Sequence, residues 1–140
     1  MKKDGCIFCK LANGEIPTNS VYEDDVVKVI FDLGPASKGH LLIIPKNHFD
    51  DIYDLDDETA AHVFQVAVKL ANAMKASLGY EGLNIVQNNG EAAGQTVMHF
   101  HMHLVPRYQD DTVNVSWTPK ELADQEMEEL KEKIMLEIKK

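Results

Sequence analysis

The chain has 140 residues, 44% of them hydrophobic and 26% charged, which fits one ordinary globular domain. Its 14 Lys and Arg against 23 Asp and Glu give a formal net charge of −9, which argues against a nucleic-acid surface but leaves room for a small anion held by backbone amides. No apolar run nears the roughly 20 residues of a membrane helix, and Met1 to Cys6 lead into no sustained apolar stretch. The chain therefore reads as a cytoplasmic protein without a signal peptide.

In chain order, Cys6-Ile7-Phe8-Cys9 comes first. Such a C-x-x-C is half a zinc site, a redox pair or two unrelated thiols, and no strand-helix-strand pattern supports the redox pair. Residues 11 to 17 predict a short helix ending at Asn13-Gly14. "SVYEDD" and "VVKVIFDL" predict two strands joined at Glu23-Asp24-Asp25, and "HLLIIP" (40 to 45) a buried strand closed by Pro45. A long helix follows, capped by Asp56 or Asp57, with Val63, Ala67, Leu70, Ala71, Met74 and Leu78 as its apolar stripe and Gly79 at its end. His62 lies off that stripe and reads as a surface residue.

"GLNIVQNNG" (82 to 90) predicts a strand running into a loop, and "VMHFHMHLVP" another strand, stopped by Pro106. Thr118-Pro119-Lys120-Glu121 has the pattern of a helix start, with Leu122, Met127, Leu130, Ile134 and Ile138 as the stripe of a helix ending near Ile138. The acidic charges on that helix favour packing on a core or a partner over a membrane surface. Trp117 is expected to pack in a core or an interface. Strands in short succession around one central helix imply an α+β fold with an antiparallel sheet of about five strands. Residues 1–110 read as the domain, and 111–140 as a C-terminal extension whose helix packs on the same domain or on a partner subunit.

Three of the six histidines, His99, His101 and His103, alternate with Phe100, Met102 and Leu104. On a strand such residues share one face, which here looks outward or into a cleft. At about 3.3 Å per residue His99 and His103 lie roughly 13 Å apart, too far for all three to share one ion, although two neighbours could. Histidine suits proton transfer and nucleophilic attack near neutral pH. A row of imidazoles beside loops with free amides, Asn88-Asn89-Gly90 and Gly94-Gln95-Thr96, suits a phosphate site.

His99-Phe100-His101-Met102-His103-Leu104-Val105 resembles the signature of the histidine triad family. "IFCKLANGEIP", "VYEDDVV", "FDLGPASKGHLLIIPKNH" and "NNGEAAGQTVMHFHMHLVPR" follow the order and spacing of that family, over about residues 5 to 108. Family members bind nucleotides and cleave a phosphorus bond at the α-phosphate. The resemblance implies that His101 is the nucleophile forming a nucleotidyl-histidine. It further implies that His103, Gly94, Gln95 and Thr96 contact the phosphate or assist the leaving group. Asn88 would border the phosphate, Asp32 would hold the ribose hydroxyls, and Ile7, Phe8 and Phe31 would flank the base. His40 matches a histidine that supports the triad.

Bacterial members similar to this chain carry the C-x-x-C and bind structural zinc, which implies Cys6, Cys9, His48 and His99 as ligands. The family is typically a homodimer joined through the long helix and the strand after it. A purine nucleoside phosphoramidate is the expected substrate. A dinucleoside polyphosphate, and a purine-nucleotide-binding regulatory module with little turnover, are the alternatives.

Overall fold

A computed structural model describes residues 1–140. Its elements in chain order are α1 (Ile7–Ala12), β1 (Ser20–Glu23), β2 (Val27–Phe31), β3 (Leu41–Pro45), α2 (Asp57–Leu78), β4 (Gly82–Val86), β5 (Met102–Arg107) and α3 (Asp124–Ile138). The five strands form one antiparallel sheet in the order β1-β2-β3-β5-β4, as the α+β reading expects.

The strand sequences show why two layers cover this sheet. "LLIIP" has no polar position, and each of its residues is buried. Leu41 and Ile43 join Val27, Val29, Met102 and Leu104 under Val63, Val66, Ala67, Leu70 and Met74 of α2. Leu42 and Ile44 face the other way, with Ile30 and with Ala12 of α1. An unbroken apolar strand is what burial on both faces requires. The parity of β5 follows. Met102 and Leu104 point at α2, so His103 points at the α1 side.

Asp56 caps α2 through its side chain, which accepts from the Thr59 amide, and Gly79 ends the helix in the left-handed region. The observed stripe includes Val66, while Leu78 stays 44% exposed. His62 is not a free surface residue. Its Nε2 lies 2.7 Å from Asp24 Oδ2, tying α2 to the turn before β2.

Two boundaries differ from expectation. β5 starts at Met102 rather than near Val97, because the Phe100 amide bonds to the Phe49 carbonyl and not to a strand. α3 starts at Asp124, six residues after Thr118, with Ala123 at its cap and no side-chain cap bond. A cap sequence contributes only about 1 kcal/mol, too little to nucleate a turn that no tertiary contact supports. α3 buries none of its residues, and Trp117 is 82% exposed.

Candidate active site and metal centre

α1, capped by Cys6, packs Phe8, Leu11 and Ala12 from its single turn-and-a-half onto Ile30 of β2 and Leu42 and Ile44 of β3. That cover buries the histidine row. His99 is fully buried, His101 is 6% exposed and His103 half-buried, so the row does not look outward. The rings of His101 and His103 stand 5.0 Å apart.

The hydrogen bonds fix how each ring carries its proton. His101 Nδ1 lies 2.7 Å from the His99 carbonyl, which can only accept. The proton therefore sits on Nδ1, and Nε2 is left with a bare lone pair. Burial holds the His101 imidazole below its usual range, against the raising effect of the His99 carbonyl and Asp32. A neutral ring is thus the rule at pH 7. The Ala36 amide donates to His40 Nδ1 at 2.9 Å, so His40 carries its proton on Nε2. That nitrogen lies 2.9 Å from His103 Nδ1. His103 then holds its own proton on Nε2, as a donor. Burial, with His101 and His40 beside it, lowers His103 to about 4. Asp32 Oδ2 stands 3.5 Å from His40 Nε2 and 4.0 Å from His103 Nδ1.

His101 and His103 open into a cavity of about 330 Å³ that is also lined by Phe8, Phe31, Asp32 and Thr96. Six of the expected residues meet there. Leu11, Ile16, Pro17, Thr18 and Leu33 line it as well, and no spacing in the chain singles them out. Five expected residues, Ile7, His40, Asn88, Gly94 and Gln95, do not line it. Ile7 is 45% exposed and lines a separate cleft with Lys3, Cys6 and His48, because it projects from the outer side of α1. Gln95 turns inward: its amide accepts from the Gly90 amide and donates to the Asp50 and Val97 carbonyls. Gly94, with φ +96°, forms the turn that allows this and packs beside Asn88. His40 sits behind His103 and reaches the cavity only through it.

On the far side of His99 lies a second cluster. One donor atom each from Cys6, Cys9, His48 and His99 lie within 4.8 Å of one another. His99 Nδ1 is 3.3 Å from Cys6 Sγ and 3.4 Å from Cys9 Sγ, and His48 Nδ1 is 3.4 Å from Cys9 Sγ. Zinc–sulfur and zinc–imidazole bonds at a tetrahedral angle put sulfur and nitrogen about 3.6 Å apart. The outer nitrogens are also placed as metal-bound imidazoles require: His99 Nε2 is 2.8 Å from the Pro45 carbonyl and His48 Nε2 is 2.7 Å from Asp50 Oδ1. Burial brings His99 down to about 4, leaving its Nδ1 unprotonated at neutral pH. Burial also pushes the Cys9 thiol up, a direction that a bound cation would reverse. These four residues could hold a metal, and their donor set fits zinc.

Residues 13–110 match the HIT domain. The chain belongs to the HIT family. Its fold is close to that of a HIT family protein from Bacillus anthracis, which is 42% identical, covers 97% of this chain and 99% of its own, and superposes with a TM-score of 0.91. A zinc-bound histidine triad family protein from Mycobacterium smegmatis is 38% identical over 83% of this chain and 84% of its own, with a TM-score of 0.74. The adenosine 5'-monophosphoramidase hnt1 of Schizosaccharomyces pombe is 36% identical over 135 residues, 96% of this HIT chain and 98% of the relative.

Proposed function

We propose that this HIT protein hydrolyses purine nucleoside phosphoramidates at the α-phosphate, through a nucleotidyl-histidine, and releases a nucleoside monophosphate. The observation that carries the reading is the bond from His101 Nδ1 to the His99 carbonyl, which leaves a neutral, unprotonated Nε2 at the wall of the cavity. The name of the fission-yeast relative points to the same class of substrate.

In this reading the base lies between Phe8 and Phe31, and Asp32 takes the ribose hydroxyls. His101 Nε2 attacks the α-phosphorus in line with the departing amine. His103 gives the amine its Nε2 proton, and His40 behind it keeps that proton on the outer nitrogen. Thr96 faces the phosphate oxygens, while Gly94, Gln95 and Asn88 hold the loop that presents it. Water then attacks the phosphorus and returns a proton to His103 Nε2, and His101 leaves with its ring restored.

Zinc at Cys6, Cys9, His48 and His99 belongs to the same reading as a structural ion. It would hold α1 against the segment that carries the nucleophile, and it enters no step. One zinc ion per chain in protein purified without chelators is the expected metal content, and Cys6→Ser is expected to lose it. Metal-free wild type would refute the assignment.

The reading also takes the protein as a cytoplasmic homodimer. β4 is a sheet edge, and Ile85 on it and Phe64 and Val68 on α2 are exposed apolar residues that a partner could cover. Sedimentation is expected to give twice the chain mass.

Comparing kcat/KM for an adenosine phosphoramidate and for diadenosine tetraphosphate tests the substrate. Preference for the phosphoramidate is expected. Preference for the polyphosphate would overturn it, and tight AMP binding without turnover of either would point to a regulatory module.

A further inference from the structure

The nucleophile and the four-donor cluster are not separate parts of the molecule. His99 contributes its side chain to the cluster and its carbonyl to His101. Phe8 sits on the turn between Cys6 and Cys9, and its ring stands edge-on to His101, with centroids 4.8 Å apart and planes at 87°. It also touches His99 edge-on at 6.1 Å. Around the nucleophile, His99 Nε2 bonds to the Pro45 carbonyl and the Phe100 side chain is buried in the core under α2, but no strand pairing holds the backbone. β5 begins only at Met102, so neither His99 nor His101 belongs to a strand, and the tie between them is the Phe100 amide on the Phe49 carbonyl.

We infer that closing Cys6, Cys9, His48 and His99 on a cation is what sets the nucleophile. The closed cluster fixes the carbonyl that keeps the proton of His101 on Nδ1, and it presses Phe8 against the ring so that Nε2 points into the cavity. His99 and Phe8 are positioning residues: the metal governs attack without touching the substrate. In the open cluster the thiols and imidazoles meet through thiol–imidazole contacts, among the weaker hydrogen bonds, and through the edge-on rings of His48 and His99. The ring of His101 then gains freedom to turn and to exchange tautomers. A shift of about 1 Å in a reacting group can cost about a hundredfold in rate. The inference rests on His101 as the nucleophile.

The test is a zinc titration of metal-free, 15N-histidine-labelled protein, with full-length chain throughout. At one zinc per chain the His101 nitrogen shifts are expected to settle on the tautomer with the proton at Nδ1, and kcat to rise about tenfold or more in step. His101 shifts and kcat that stay constant while zinc binds would overturn the inference, as would a chain that binds no zinc. Should the metal-free chain unfold, Phe8→Leu in zinc-loaded protein serves instead. Its zinc content is expected to be unchanged and its kcat to fall about tenfold, while KM, which reads the contact of the same ring with the base, changes less than about threefold, with Phe8→Tyr restoring kcat; an unaltered kcat, or a loss carried by KM alone, overturns the inference. Failure of the nucleophile assignment looks different: His101→Ala would keep its turnover, whatever the shifts report.

Discussion

Burial of uncharged imidazole gives His103 a consequence for stability as well as chemistry. Its pKa falls from 6.5 to about 4, chiefly by burial and then by His101 and His40. Between these values the unfolded chain binds a proton that the folded chain refuses, so stability drops as the pH is lowered through the range. Between pH 7 and pH 5 the loss from this ring is about 2 kcal/mol. Urea unfolding at the two pH values is expected to show that the wild type loses about 2 kcal/mol more than His103→Asn. Equal losses would mean that the ring is charged in the folded state.

Asp24 works in the opposite sense. Burial raises its pKa, but hydrogen bonds from the Val27 amide, His62, the Val26 amide and Tyr22 outweigh that and hold the carboxyl far below its usual range. Its contribution is present above the ordinary carboxylate range and is lost as the pH falls through its own. Asp24→Asn is expected to cost about 1–3 kcal/mol at pH 7, with a smaller cost in acid.

At the scale of elements, α2 and the loop before β3 show how local rules set the frame of the site. Asp56→Ala removes the cap of α2 and is expected to lower the unfolding free energy by about 1 kcal/mol. Gly39, with φ +88°, is packed so that a Cβ would lie 2.6 Å from Leu78 Cδ1. Gly39→Ala puts a side chain on a left-handed backbone, at an expected cost of about 1–3 kcal/mol, while the half-exposed Leu78 side chain can turn aside. Since His40 is next in the chain, turnover is expected to fall with it. Stability and activity both at wild-type level would contradict this account of the loop.

Most of these elements were legible because strong signals agreed: the Asp56 and Gly79 caps, the apolar run of β3, the turn at Glu23-Asp24-Asp25. The short-range pattern was silent where a distant group decides. Nothing near Phe100 says that its amide will bond to Phe49, which keeps residues 99 to 101 out of the sheet. Nothing near Gln95 says that its amide will close on Asp50 rather than reach a ligand. The Thr118 cap failed for the converse reason, since a good local signal had no packing behind it.

Across the whole molecule the two faces of the sheet divide the labour. The α2 face is apolar, aliphatic at its centre with Phe100, Tyr22, Phe49 and Tyr80 packed in, and the α1 face carries the histidine row, the thiols and the cavity. Period-two alternation made that division readable before any coordinates. It could not show that α1 would bury the polar face too, because the cover comes from a segment some ninety residues away in sequence. Stability and chemistry should accordingly be separable. Leu104→Ala, on the α2 face, is expected to cost about 2–5 kcal/mol in urea unfolding. Leu33 lines the cavity but is 92% exposed. Leu33→Ser is expected to leave stability within about 0.5 kcal/mol and to raise KM for the nucleotide. An unchanged KM would remove Leu33 from the site.

Under the proposed function, attack of His101 Nε2 on the α-phosphorus leaves a nucleotidyl group on that ring. Acid-quenching the protein during turnover of an adenosine phosphoramidate and mapping the adduct by peptide mass tests it most directly. The account predicts an adenylyl group on His101, formed before AMP is released and absent from His101→Ala, which retains its fold and has no turnover. An adduct on another residue, or turnover in His101→Ala, would contradict it.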